Sequence, residues 1–410
     1  MIHYFYISYN LKFWMLKNFQ ISKYVIVILI KINFFLIVPF ILYGQNDIIT
    51  GIEKTDEYIP LLKNKNIAVV SNHTSKFYKT NNKAHLVDSL LSYGINIYKV
   101  FAPEHGFRGN SDAGEKITNS IDPKTGIPII SLYGKKKKPS KADLENIDLI
   151  IFDIQDVGAR FYTYLSTLHY VMESCAENNI EIIVLDRPNP NGHYIDGPVM
   201  EKESMSFVGL HPVPIVYGMT IGEYALMING ENWLSNGLKC QLQIIKLSNY
   251  NRMSKYILPE RPSPNLPNLK SINLYPSLCF FEQTPVSIGR GTENQFQIIG
   301  KPDWEKTNYQ FKPISMLGAK YPKFENKICN GYNLKSEKYL SQISLKWLII
   351  GYKNEKDKEN FFKSGFHRLA GNKTLERQII SGLSEKEIKK TWTQGLNNFR
   401  KTRKKYLIYN

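Results

Sequence analysis

Two side chains able to move protons stand side by side in the segment Ala102-Pro103-Glu104-His105-Gly106-Phe107-Arg108-Gly109. Pro103 restricts entry to the segment and Gly106 frees its exit, a combination that can hold a carboxyl group against a ligand. A carboxyl group partly shielded from water keeps its proton to higher pH and can serve as a general acid. Glu104 is therefore the first candidate acid, with His105 beside it. The plainer alternative is a surface glutamate next to a histidine that satisfies backbone groups. Arg108 and the flanking glycines weigh toward a site.

Cleaving a glycosidic bond takes two carboxyl groups, one to protonate the leaving oxygen and one to act as nucleophile or base. Asp153, Asp156 and Asp186 are the candidate partners. Each has a structural alternative: Asp153 ends an apolar run and can cap the next loop, and Asp186 can pair with an arginine to hold the Asn189-Pro190-Asn191 turn. Further on, Glu282 opens a stretch to Thr292 in which Gly289 and Gly291 flank Arg290. Glycines there let the backbone approach closely while the guanidinium reaches a carboxylate. Tyr217–Glu223 leads into a helix whose N-terminus can meet an anion or can simply be capped. The sequence has no Gly-Lys-Ser/Thr ending, Gly-x-Ser-x-Gly elbow or His-Glu-x-x-His pair, so nucleotide, serine-esterase and zinc-protease readings lack their motifs. Cys175, Cys240, Cys279 and Cys329 lie far apart without a CxxC, which argues against a zinc site.

The elements that must position these groups alternate. Apolar, β-branched runs at 66–71, 95–101, 128–133, 149–153 and 180–185 predict buried parallel strands. Helical spacing at 84–93 and 164–178, and at 221–228 behind the N-cap Thr220, predicts helices on both faces. The expected fold is α/β, a Rossmann-like parallel sheet. Ligands of such sheets bind beyond the carboxyl ends of the strands. Those ends carry Asn72 and His73, then Glu104, His105 and Arg108, then Tyr133, then Asp153, Asp156 and Arg160, then Asp186, Asn189 and Asn191. Convergence on one edge is more informative than any single residue.

Pro259, Pro262, Pro264, Pro267 and Pro276 are expected to break any regular element. They divide a catalytic domain at 46–266 from a smaller C-terminal α/β domain at 267–410, with a cleft between. In the second domain Ser384 and Glu387 form a capping box for a helix that buries Ile388, Trp392, Leu396 and Phe399, and Tyr406–Tyr409 reads as a closing strand. Residues 1–45 read as a leader: Lys17 and Lys23 precede a short apolar core ending near Gly44, the pattern of a signal peptide. Export to the periplasm or beyond follows, with an uncleaved membrane anchor as the alternative. The net charge of +17 suits polyanionic surroundings or a lysine-rich solvated surface. A nucleic-acid partner would rest on charge alone, and the leader argues against it.

The segments PEHGFRG (103–109), FDIQDVGARFYTY (152–164), DRPNPNG (186–192), YGMTIGE (217–223), PSPNLP (262–267), Glu282–Thr292 and FRKTRKKYLIY (399–409) resemble the bacterial exo-β-N-acetylmuramidase family. The resemblance spans about residues 50–410. It implies two domains around a cleft and release of N-acetylmuramic acid from non-reducing ends of peptidoglycan fragments, without metal or organic cofactor. It implies Glu104 as catalytic acid and His105 as its orienting or substrate-contacting neighbour. It ranks Asp153 and Asp156 ahead of Asp186 and Glu282 as the second carboxyl group. Muramic acid carries a lactyl carboxylate, for which Arg108, Arg160 and Arg290 are the candidate clamps. Asn72, Tyr162, Asp186, Asn189, Tyr217 and Glu282 complete the expected substrate surface. His367 stands where the resemblance leads one to expect an acid. The expected partners are muropeptides or disaccharides. An amidase or esterase with His105 as base, and a peptidoglycan-binding protein without turnover, are the competing readings.

Overall fold

In the computed structural model, residues 47–78, 83–108 and 119–410 are described. The expectations for the leader, and for Gly109, lie outside them. Seven strands form one sheet: β1 (Ile67–Ser71), β2 (Ile97–Ala102), β3 (Ser120–Ile121), β4 (Pro128–Ser131), β5 (Leu149–Asp153), β6 (Glu181–Leu185) and β7 (Leu242–Ile245). Their order is β3-β4-β2-β1-β5-β6-β7, parallel throughout except for the β3–β4 hairpin. The chain grows outward from β1 on one side, then returns to place β5 on the other. That reversal creates the switch point of a doubly wound sheet.

All of β1 and β5 is buried, as the centre of a sheet covered on both faces requires. Alternate side chains feed two cores. Ala68, Val70, Phe152 and Val184 face one, and Ile67, Val69, Leu149, Ile151 and Ile183 face the other. Each such large side chain contributes roughly 1.5–3 kcal/mol by leaving water. The first core continues without a break to Phe399. A three-stranded antiparallel sheet, β8 (Ile298–Lys301), β9 (Tyr309–Phe311) and β10 (Cys329–Asn333), lies further along, ordered β8-β10-β9.

Three helices follow the sequence signals closely. Tyr164–Glu177 follows β5; Ile221–Gly230 starts with a Thr220–Glu223 capping box; Glu385–Lys404 starts with the Ser384–Glu387 box and buries Ile388, Trp392, Leu396 and Phe399. Two expectations are overturned. Pro276 breaks nothing: it sits inside the helix Leu269–Leu278, which Asn268 caps. Proline removes the N–H that would serve the carbonyl four residues back, Ile272, and the Asn191 side chain donates to that oxygen instead at 3.1 Å. Tyr406–Tyr409 forms no strand. Side chains tie it down instead: the Tyr409 hydroxyl donates to Asp186 at 2.6 Å, and Glu223 accepts from the Ile408 amide at 2.9 Å.

Candidate active site

The turn after β2 carries Glu104 as expected. Gly106 N–H closes it on the Pro103 carbonyl at 3.0 Å. His105, at φ 72°, and Gly106, at φ 78°, are both left-handed. A buried histidine in that conformation is strained by its Cβ, and such strain persists where surrounding structure enforces it. The enforcement comes in part from Arg108, which donates twice to Asp122 at 2.9 and 2.7 Å and to Asp88 at 3.1 Å. Arg108 thus fastens the turn to the β3–β4 hairpin and to the helix Leu86–Ser92.

Glu104 and His105 border a cavity of about 280 Å³. Thr163, at the start of the helix after β5, donates its hydroxyl to Glu104 Oε2 at 2.8 Å. The Tyr133 hydroxyl, just past β4, also hydrogen-bonds Glu104; burial first, and that carboxylate second, raise the phenol's pKa. The cavity is therefore built at the carboxyl ends of β2, β4 and β5. Phe161, Tyr162, Tyr275 and Phe296 form an aromatic floor. Their rings meet edge to face, with Phe161–Tyr275 at 5.2 Å and Tyr275–Phe296 at 4.9 Å between centroids. Rigid aromatic faces of this kind suit the apolar face of a sugar ring.

Glu282 and Arg290 stand in the same wall. Arg290 Nε donates to Glu282 Oε1 at 2.8 Å, and its Nη2 lies 2.7 Å from the same oxygen. Gly289 and Gly291 have φ of 79° and 80°, and a Cβ on either would strike backbone oxygens within 2.7 Å. Only glycine lets this loop turn Arg290 inward. Beneath it, the Lys323 ammonium donates to the carbonyls of Phe281 and Thr284, each at 2.8 Å, and of Val286 at 3.2 Å. Burial alone would push the Glu282 pKa up; Arg290 and Lys323 reverse this and hold it below its ordinary value. The cavity thus offers one carboxyl group bonded to hydroxyls, Glu104, and one held ionised by cations, Glu282.

Of the site candidates read from the sequence, Glu104, His105, Tyr133, Tyr162, Glu282 and Arg290 meet in this cavity. The rest do not line it, and each has a structural partner. Asp153, at the switch point, is gripped by Arg187, with Nε and Nη2 each 2.7 Å from a different carboxylate oxygen and both side chains buried. Asp156 is buried under the Tyr217 hydroxyl and the Gly158 amide, the latter at 2.6 Å. Arg160 is no clamp: its guanidinium donates to the carbonyls of Pro198, Val213, Leu369 and Ala370 at 2.7–3.0 Å. Asp186 accepts from Thr220 at 2.7 Å and Gly222 at 2.8 Å. Asn189 donates to the Met219 carbonyl at 2.7 Å, and Asn72 to the Tyr164 hydroxyl at 2.8 Å. Thr163, Phe207, Ser263 and Gln283 also stand in the wall, and sequence reasoning gave none of them a role. Thr163, Ser263 and Gln283 fall inside the segments 152–164, 262–267 and 282–292, and Phe207 falls in none. Among the described residues, no group of three His, Cys, Asp or Glu side chains is placed to hold a metal ion.

Fold and cavity together define a doubly wound α/β protein with a single-saccharide-sized site carrying two carboxyl groups and an arginine. The chain belongs to the exo-β-N-acetylmuramidase NamZ family: residues 67–270 match its N-terminal domain and residues 273–409 its C-terminal domain. It is 38% identical over 384 residues to the peptidoglycan β-N-acetylmuramidase NamZ of Bacillus subtilis (strain 168), covering 88% of this chain and 91% of that protein. A crystal structure of a DUF1343 family protein from Bacteroides fragilis NCTC 9343 superposes with a TM-score of 0.82 at 46% identity, over 89% of this chain and 99% of the other. A second DUF1343 structure from the same organism gives 0.76 at 29% identity, over 88% and 99%.

Proposed function

We propose that this protein is an exo-acting glycoside hydrolase that releases N-acetylmuramic acid from the non-reducing ends of peptidoglycan fragments. One observation carries the reading: Glu104, bonded to the Thr163 and Tyr133 hydroxyls, and Glu282, paired with Arg290, border the same aromatic-floored cavity. Glycosidases use two carboxyl groups, one as acid and one as nucleophile or base. Glu104 donates its proton to the leaving glycosidic oxygen. Glu282, ionised beside Arg290, supplies negative charge to the oxocarbenium-like centre or activates water. Arg290 keeps donors beyond those spent on Glu282, and these suit the lactyl carboxylate that distinguishes muramic acid from glucosamine. Asp153 and Asp156 leave the role of second carboxyl group, because Arg187 and Tyr217 occupy them. The basic-then-apolar leader supports action outside the cytoplasm, where the polymer lies.

The test uses p-nitrophenyl β-N-acetylmuramide and the corresponding glucosaminide. Wild-type protein is expected to release nitrophenol from the muramide, and Glu104→Gln to lose about 10²–10⁴-fold in kcat with KM little changed. Release of peptide or acetate instead of sugar would transfer the site to amidase or esterase chemistry. Binding of the muramide without turnover would make the protein a receptor.

A further inference from the structure

A second cavity of about 290 Å³ adjoins the first and shares Phe207, Val208, Gln283 and Leu369 with it. Two cations, Lys137 and Arg368, join Ser206 and Gly365 in the rest of its lining. The lysine run 135–138 thereby gains a meaning that its composition did not carry. Lys136 pairs with Asp143, and Lys138 lies 2.7 Å from both Glu173 and Glu177. Lys137, between them, has no ion pair among the described residues; its ammonium rests 4.6 Å from the centroid of the Phe207 ring. Phe207 is itself stacked on Tyr170 at 6.3 Å and 13°. Arg368 is exposed, also without an ion pair among the described residues. The backbone just after it is anchored, since Leu369 and Ala370 are the carbonyls that take Arg160 at 2.9 and 3.0 Å.

Two unneutralised cations lining one cavity repel each other, and an anion between them relieves that repulsion. A guanidinium fork and an ammonium lining one cavity suit a carboxylate. The first cavity holds both carboxyl groups, and the second, which shares four lining residues with it, offers the remainder of a substrate an adjoining place. We propose that the second cavity is the leaving-group subsite and that Lys137 and Arg368 bind a carboxylate carried beyond the scissile bond. This rests on the hydrolase reading given above. In a peptidoglycan fragment that carboxylate belongs either to the lactyl group of the next muramic acid or to its stem peptide.

The experiment compares three trisaccharides, N-acetylmuramyl–N-acetylglucosaminyl–N-acetylmuramic acid in each case. The first has a free lactyl carboxylate on its reducing-end residue, the second has that carboxyl amidated, and the third carries an alanyl-isoglutamate stem there. Binding is measured calorimetrically on Glu104→Gln protein, with and without Lys137→Gln/Arg368→Gln; turnover is measured on the corresponding proteins that retain Glu104. At least one carboxylate-bearing probe is expected to bind about tenfold or more tightly than the amide, a charge-assisted contact's effect. The double substitution is expected to abolish that preference, while Lys137→Arg/Arg368→Lys retains it. Preference for the free acid assigns the lactyl group; preference for the stem-bearing probe alone assigns the peptide. Equal binding of all three probes, or a preference that survives the double substitution, overturns the subsite. Preferential binding without sugar release would leave the subsite standing and sink the hydrolase reading; release without preference would do the reverse.

Discussion

The Thr163 hydroxyl donates to Glu104 Oε2 at 2.8 Å, although Thr163 is the residue that should cap the helix Tyr164–Glu177. Threonine before a helical run normally turns its oxygen back to a backbone amide. Here no such cap bond forms, so the side chain serves the site at the expense of the helix. Thr163→Val is therefore expected to leave unfolding free energy nearly unchanged and to lower kcat on the chromogenic muramide about tenfold, the effect of one oriented hydrogen bond. Thr163→Ser should keep the activity. Steady-state kinetics beside urea unfolding of the three proteins checks this. Full activity in the valine variant would show the hydroxyl to be idle.

Arg187 holds both oxygens of Asp153 where neither side chain meets water. Removing one member of such a pair strands a buried charge, at a cost on the order of 3–5 kcal/mol. Asp153→Ala should unfold at markedly lower urea concentration, and any activity deficit should track the folded fraction. A variant of native stability with a collapsed kcat would return Asp153 to the chemistry.

Asp156 and Asp186 are expected to make stability fall as pH rises from about 4 to 6. Burial pushes the Asp156 pKa up to about 6, against the opposing pull of the Tyr217 hydroxyl and the Gly158 amide. Burial raises Asp186 to about 6 as well, partly offset by Tyr409 and Thr220. The folded protein then keeps protons that the unfolded chain releases. The contribution is complete below the ordinary value of 3.8 and is lost as pH passes 6. For one such group the change is on the order of 3 kcal/mol. Asp156→Asn removes one of the two titrations, so its stability should rise relative to wild type by about that amount between pH 4 and 7. Parallel profiles for the two proteins in pH-dependent denaturation would contradict the assignment.

Sequence patterns carried the central sheet because burial on both faces writes continuous apolar runs such as Leu149–Asp153, and the N-cap Thr220 and the Ser384 capping box carried two helices. They also located Glu104, since the end of β2 delivers whatever follows it to the ligand edge. The same logic put Asp153 there and stopped one step short. A strand end fixes position along the sheet but not which distant side chain arrives first, and Arg187 comes from 34 positions away. Glu282 ranked behind Asp153 and Asp156 for the complementary reason. It follows no strand of the large sheet, and only folding carries its short helical turn, Cys279–Gln283, to the cavity. Thr163 directly precedes a helical run, and nothing local reveals that its oxygen is claimed by a residue 59 positions away.

Asn191 Nδ2 bridges the Ile272 carbonyl at 3.1 Å and the Val157 carbonyl at 2.9 Å, both buried. The Ile272 oxygen needs it because Pro276 has no N–H to give. This tie places the helix Leu269–Leu278, and with it Tyr275 of the cavity floor, against the loop that follows β6. Asn191→Ala leaves two buried acceptors without donors and is expected to cost about 2–3 kcal/mol. Restoring an amide with Pro276→Ala should recover part of that loss, because Ile272 regains its intrahelical partner while Val157 does not. The double-mutant cycle is accordingly expected to show a coupling of roughly 1 kcal/mol or more. Strict additivity of the two single losses in urea denaturation would mean that the asparagine and the missing proline amide do not compensate each other.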